Sequence, residues 1–314
     1  MWWACYDIKM NTPTVTIGFT ARERFNLAAK SLKAIYKHTH IPFNLIVVDC
    51  NIPTKYLKQM REVLKDKSNV KIIHTDNYLR GNQSKNLVLD NTTDDYVALI
   101  ENDCFVSDGW LEKLMDACER TGSTVAIPLL LEDASWLNPN KVHHDTKLAE
   151  IKMHNIDGNT AYEFVENLSI MNRYKENEAH RVASMEMHVM LIKREVFSKI
   201  GKFDELVLAD STYAYVDLSL SLLSKSISII CEPNARVSFM NPPPVYKDEL
   251  PFYNFIWNLN KVSPTREYLA KKWNILNIHD SLDFVSDQQY RTSYFRWILR
   301  KGPKKINLMF SKIF

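Results

Sequence analysis

Tyr96-Val97-Ala98-Leu99-Ile100-Glu101-Asn102-Asp103-Cys104-Phe105-Val106 decides how this chain is read. Its first five residues are apolar without a break, which predicts a strand buried on both faces. The strand runs straight into acid-x-acid. Two carboxylates one residue apart at a strand end can face the same cleft, and hard divalent cations take such oxygen ligands together with substrate phosphates. A plainer reading also holds at this point: Glu101 and Asp103 open a turn and cap the next helix.

On either side of this stretch, strand and helix signals alternate. Strands are predicted at Thr14–Phe19, Asn44–Asp49, Val70–His74, Tyr96–Ile100 and Thr124–Pro128. Between them, apolar residues recur at helical spacing over 25–36, 54–65, 82–89 and 110–120. The alternation predicts an α/β fold with a mostly parallel central sheet flanked by helices. In such sheets ligands bind beyond the carboxyl ends of the strands. The first polar candidates are therefore Thr20 and Arg22 after the first strand, Asp49 and Asn51 after the second, and Glu101, Asn102 and Asp103 after the fourth. Residues 132–183 break the rhythm and read as a variable insertion, partly helical near 160–172. Regular elements return as a strand at Met187–Ile192, helices at Arg194–Ile200 and Val216–Leu223, and a strand at Ile227–Cys231. Pro242-Pro243-Pro244 ends this part of the chain, because proline continues neither a helix nor a central strand. The expected organisation is a catalytic domain over 1–245 and a C-terminal helical extension over 246–314.

Composition narrows the function classes. The 314 residues are 46% hydrophobic and 25% charged, as in soluble globular proteins. Only 7 glycines are present, and neither GxGxxG nor GxxxxGK[ST] occurs. The net charge of +3 is unevenly placed: seven basic residues and no acid follow Asp287, so residues 1–287 carry a net −4. That distribution argues against a nucleic-acid-binding surface. The 5 cysteines are scattered without CxxC, which fits a reducing, cytoplasmic setting and makes a zinc site improbable. No apolar run is long enough to span a bilayer, and Met1-Trp2-Trp3-Ala4-Cys5 is too short for a signal-peptide core. The tail over 291–314 mixes aromatics with cations, which suits either the anionic inner face of a membrane or packing on the body or on a second subunit.

Taken in order, these pieces resemble the family 2 type of GT-A glycosyltransferases over residues 13–240. Thr14–Asn26 is similar to that family's opening strand and first nucleotide loop. Ile46-Val47-Val48-Asp49-Cys50-Asn51 resembles its strand ending in an aspartate that reads the base. Asn77–Asn86, with Arg80, Gly81, Lys85 and Asn86, resembles its segment before the third helix. Tyr96–Val106 resembles its strand and DxD motif, with glutamate in the first position. Met190–Glu205 is the closest of these likenesses, and Tyr215–Leu218 and Glu232–Val237 resemble its acidic helix and closing strand.

The resemblance implies an inverting transferase that uses a UDP- or GDP-linked sugar donor, Mn²⁺ or Mg²⁺, and a glycan or other hydroxyl acceptor. It implies that Asp103 binds the metal and that Glu101 holds the ribose or a metal-bound water. Arg22, Arg80 and Lys85 stand near the cleft as candidate phosphate ligands. For the general base it points to Asp217, with Asp210 nearby. The family often carries an earlier acid in this region that is missing from Thr212-Tyr213-Ala214-Tyr215-Val216-Asp217. Many relatives also place a metal-binding histidine after the closing strand, where this chain has Phe239. His188 reads as a core or acceptor-site residue, and His143-His144-Asp145 as exposed. A catalytically impaired binding protein and a nucleotidyltransferase stay open as alternatives, and oligomeric state is open as well.

Overall fold

The computed structural model describes residues 13–133, 141–144, 149–166, 177–240 and 245–290. The first half follows the expected alternation: β1 (Val15–Thr20), α1 (Ala28–His38), β2 (Asn44–Cys50), α2 (Thr54–Leu64), β3 (Val70–Thr75), α3 (Gly81–Asp90), β4 (Tyr96–Glu101), β5 (Cys104–Val106), α4 (Trp110–Thr121) and β6 (Val125–Asp133). The second half adds β7 (Lys141–His144), β8 (Ala149–Ile156), β9 (Asn159–Glu166), β10 (His180–Val182), β11 (Val189–Lys193), α5 (Val196–Ile200), α6 (Asp210–Leu223) and β12 (Ile229–Met240). Three helices follow: α7 (Leu250–Ile256), α8 (Val262–Trp273) and α9 (Leu282–Tyr290).

One mixed sheet organises these elements in the order β10-β12-β6-β11-β4-β1-β2-β3, with β5 on β12 and β7 on β6. The strands β4, β1, β2 and β3 are parallel, and β11 enters antiparallel between β4 and β6. Every residue of β1 and β4 is buried, as a strand covered on both faces requires. Gly18 sets how closely α3 lies on the sheet. A Cβ there would stand 2.5 Å from Val88 of α3 and 2.9 Å from Leu99 of β4, so only glycine allows this approach.

Three expectations need correcting. Residues 160–166 are strand and not helix: β8 and β9 form an antiparallel hairpin closed by Asp157-Gly158, both at positive φ. Asp-Gly between alternating segments is a two-residue hairpin signal, and that local turn chemistry overrides the weak helical spacing. The helix expected at Val216 starts at Asp210, because α6 is buried nearly all round and shows no apolar stripe to mark its first turn. The strand expected at Ile227–Cys231 and the closing strand likened to Glu232–Val237 are one strand, Ile229–Met240, which absorbs Pro233 in a register shift between Glu232 and Arg236. Met1–Cys5, Pro242–Pro244, Asp145 and the tail over 291–314 lie outside the described residues, and so do the side chains of His143 and His144.

The C-terminal helices share the body's hydrophobic core. Phe252 stacks on Phe25 at 4.7 Å, and the Glu249 carboxylate accepts the backbone N–H groups of Phe25 and Asn26 at 2.7 Å each. The Trp257 indole donates to Glu23 at 2.8 Å. All these contacts reach the loop after β1, so the extension is built into the edge of the sheet where the acidic motif ends.

Candidate active site

Four chain segments meet at that edge. Thr20 of β1 is in register with Glu101 of β4. The Glu101 N–H donates to the His188 carbonyl at 3.0 Å, which brings β11 alongside. Phe239 of β12 pairs opposite Cys104 of β5. Side chains follow the backbone. The Arg22 guanidinium donates to Asp103 at 3.0 Å and lies 3.7 Å from Glu101. The Glu101 oxygen that faces Arg22 also meets His188 Nδ1 at 2.7 Å, and its other oxygen lies 3.5 Å from Lys85 Nζ. The His188 ring stacks on Phe239 at 4.6 Å, with Arg22 also over that ring at 4.9 Å.

Burial and charge compete here. Burial pushes the Glu101 pKa up, but His188, Lys85 and Arg22 outweigh it and hold the carboxyl down at about 2. Burial wins at Asp103, whose pKa is raised despite the Arg22 charge. Burial lowers the pKa of Arg22, but Glu23, Asp103 and Glu101 overcome it and keep the guanidinium charged.

Helix α3, which carries Lys85, brings α6 to the same cluster. Asp210, in the first turn of α6, accepts the Asn82 N–H of α3 at 3.0 Å and its neighbour Ser211's N–H at 2.9 Å. A Cβ on Gly81 would lie 3.1 Å from both the Asp210 carboxylate and Lys85 Nζ, so this glycine leaves the charged pair room to converge. Arg22, Lys85, Glu101, His188 and Asp210 all line one cavity of about 480 Å³, and Trp257, His279 and Phe284 of the C-terminal extension line it too.

Other expected residues shape the surroundings instead. Asp49 spends one carboxylate oxygen on the Ile52 N–H at 3.0 Å and the other on His74 at 2.9 Å. Asn51 takes a left-handed turn at φ 60°, a conformation its short amide side chain tolerates. Arg80 donates to the Phe255 carbonyl at 3.1 Å and stacks on that ring. Asn86 ties α3 to Phe203 and Glu205, and Asn102 holds the loop at Arg22 and Arg24. Thr20 is buried at the end of β1. Asp217 lies two turns along α6 from Asp210, where its carboxylate takes the Trp273 indole at 2.7 Å and Lys272 at 2.8 Å. It is not among the residues lining the cavity.

Residues 16–201 match the sequence profile described as Glycosyl transferase family 2. The chain belongs to glycosyl transferase family 2. The family 2 match runs from β1 through α5, so α6 and the C-terminal helices stand beyond it. Among solved structures the chain is similar to GalNAc-T7, crystallised with UDP, GalNAc and Mn²⁺, at 14% identity and a TM-score of 0.57. That likeness covers 95% of this chain and 58% of the GalNAc-T7 chain, and it shows a shared fold. Comparison with curated protein sequences finds no match.

Family 2 membership raises the question of a divalent cation, and the donor set fits one. Ligand atoms of Asp103, Cys104 and His188 lie within 4.8 Å of one another, all buried. A carboxylate oxygen suits a hard divalent cation, and an imidazole adds a transition-metal ligand. Burial, with Asp103 and Glu101 nearby, pushes the Cys104 thiol well above its ordinary value, so it stays protonated and offers no thiolate.

His188 is buried and lines the cavity, standing between Glu101 and the Phe239 ring. Its local sequence, Met187-His188-Val189, carries no signal for this. The placement comes from the antiparallel pairing of β11 with β4, a contact between segments 87 residues apart.

Proposed function

We propose that this protein moves a sugar from a UDP- or GDP-linked donor to an acceptor hydroxyl, with inversion at the anomeric carbon. The observation that carries the reading is the convergence of Arg22, Lys85, Glu101, His188 and Asp210 on one cavity at the carboxyl ends of β1 and β4, with Asp103 directly behind Arg22. Arg22 and Lys85 bind the diphosphate of the donor, and Glu101 orients both cations while holding the His188 ring. Asp103 and His188 would hold a divalent cation, Mn²⁺ or Mg²⁺, which would supply electrostatic stabilisation to the departing diphosphate. Asp49, Asn51, Asn86, Asn102, Thr20 and Arg80 fix the loops that frame the donor.

The acceptor oxygen attacks the anomeric carbon as the bond to the diphosphate breaks. The electron pair leaves on the phosphate oxygen, and the acceptor proton passes to a carboxylate. We assign that role to Asp210 in place of Asp217. Asp210 faces the cavity, whereas Asp217 is engaged with Trp273 and Lys272.

Calorimetry with UDP and GDP, with and without Mn²⁺, tests the donor site. Binding that strengthens with Mn²⁺ in the wild type and loses that gain in Asp103→Asn supports the reading; equal binding in both proteins overturns the metal role. No described helix is long and apolar enough to cross a membrane. Contact with the anionic inner face of a membrane, through the basic and aromatic residues of 291–314, completes the proposal.

A further inference from the structure

The sheet order β4-β1-β2-β3 fixes where a ligand can enter. The chain leaves β1 for β2 on one side and comes back to β4 on the other, so the crevice of an open α/β sheet falls between β1 and β4. The cavity is at that place, lined by Ala21 and Arg22 after β1 and by Glu101 of β4. The carboxyl ends on the β2 and β3 side are covered by the chain itself. Phe252 of α7 stacks on Phe25, from the loop after β1, and meets Tyr78, from the loop after β3, at 5.3 Å. Tyr56, in the first turn of α2, donates to Asp248 at 2.9 Å, and its ring stands 6.4 Å from Phe25. Phe25, Tyr56 and Phe252 are all buried.

The polar groups at this end are engaged as well. The N–H groups of Phe25 and Asn26, in the stretch likened to a first nucleotide loop, both donate to the buried Glu249. Asp49, likened to an aspartate that reads the base, is 1% exposed, with its two oxygens on Ile52 and His74. Asp49, Asn51 and His74 are not among the residues lining the cavity. Moving α7 aside would expose Phe25, Phe252 and Tyr253 to water together, so α7 is a fixed part of this end and not a lid.

We infer that α7 stands in the position of a base-reading subsite, so that the donor site recognises the diphosphate and the sugar and does not distinguish one nucleobase from another. Arg22 and Lys85 meet phosphate, which every nucleoside diphosphate carries. Phe284, half exposed in the cavity lining, offers a ring to the face of a base, and stacking on that face is tolerant of base identity. This inference rests on the donor site proposed above.

The test is calorimetry on the full-length protein with UDP, GDP, CDP and ADP in Mn²⁺. The expected result is four affinities within ~3-fold of one another; a carboxylate hydrogen-bonded to a base edge would favour one base by ~10-fold or more. In Asp49→Asn the four affinities should keep their ratios. A preference of 10-fold or more for one base in the wild type overturns the inference with the donor reading untouched, and so does a change of the ratios in Asp49→Asn. Failure of the wild type to bind any of the four overturns the donor reading itself.

Discussion

The Arg22 guanidinium and the Asp103 carboxylate form a buried ion pair at 3.0 Å, at the point where the loop after β1 crosses the acidic motif. Each charge is tolerated inside because the other is there. Asp103→Ala takes the hydrogen-bonded partner from Arg22 and leaves Glu101 at 3.7 Å and Glu23 as its remaining counter-charges; loss of one partner from a buried pair costs at most about 3–5 kcal/mol. Asp103→Ala should therefore melt well below the wild type in thermal denaturation. Asp103→Asn, which keeps an acceptor for Arg22, should recover much of that loss without restoring the Mn²⁺-dependent gain in nucleotide affinity. Equal melting of Asp103→Ala and wild type would show that the pair contributes nothing.

Asp210 should set the acid limb of the rate profile. Burial raises its pKa, and Lys85, the Asn82 N–H and Arg80 reverse this only in part. The carboxyl therefore takes up its proton at a higher pH than an ordinary aspartate. Turnover should rise with pH as Asp210 ionises, and Asp210→Asn should remove that limb and lower kcat by ~10²-fold or more with donor affinity little changed. Stability moves the other way. The folded state favours the protonated group, so its contribution is largest at low pH and declines as pH climbs from the ordinary aspartate value through the raised one.

Asp217 predicts a different outcome from the same substitution. Its carboxylate joins α6 to Trp273 and Lys272 of α8. Asp217→Asn should cost about 1–3 kcal/mol of stability, as for a buried charge-assisted contact, seen as a lower melting temperature, while kcat of the folded protein holds. A loss of kcat at unchanged stability would return the base role to Asp217.

His74 and Asp49 supply a second pH readout, at the end of β2. Hydrogen bonds to Asp49 and then Asp76 raise the His74 pKa above its ordinary 6.5. The stabilisation is fully present below that ordinary value and is lost as pH rises through the raised one. In Asp49→Asn, the His74 ring signals followed by NMR should titrate at a lower pH. An unmoved titration would mean that the pair is open in solution.

The tail over 291–314 lies outside the described residues and keeps its expectation from charge alone. Deleting it should abolish sedimentation with anionic liposomes while a folded, nucleotide-binding protein remains. In the intact chain that sedimentation should weaken with salt, since the Debye length is only ~8 Å at physiological strength. Aggregation of the truncated protein would place the tail in the core and end the membrane reading.

The sequence by itself determined the fold class and the location of the acidic motif. Strands buried on both faces are written as unbroken apolar runs, as in Tyr96–Ile100, and the helices between them keep a one-sided stripe; both are local signals. Only the tertiary structure decided which polar residues share the cavity. Asp210 and Asp217 are seven residues apart on α6, nearly the same face of the helix, yet about 10 Å apart along its axis. Both are equally buried, and their neighbours separate them: α3 and the cavity meet Asp210, while Trp273 and Lys272 of α8 cover Asp217, and no local signature marks that difference. His188 reaches Glu101 only because β11 pairs with β4, and Phe284 reaches the cavity only because α9 docks against Trp257. Such contacts join residues far apart in sequence, so they depend on strand pairing and helix packing and not on any spacing along the chain.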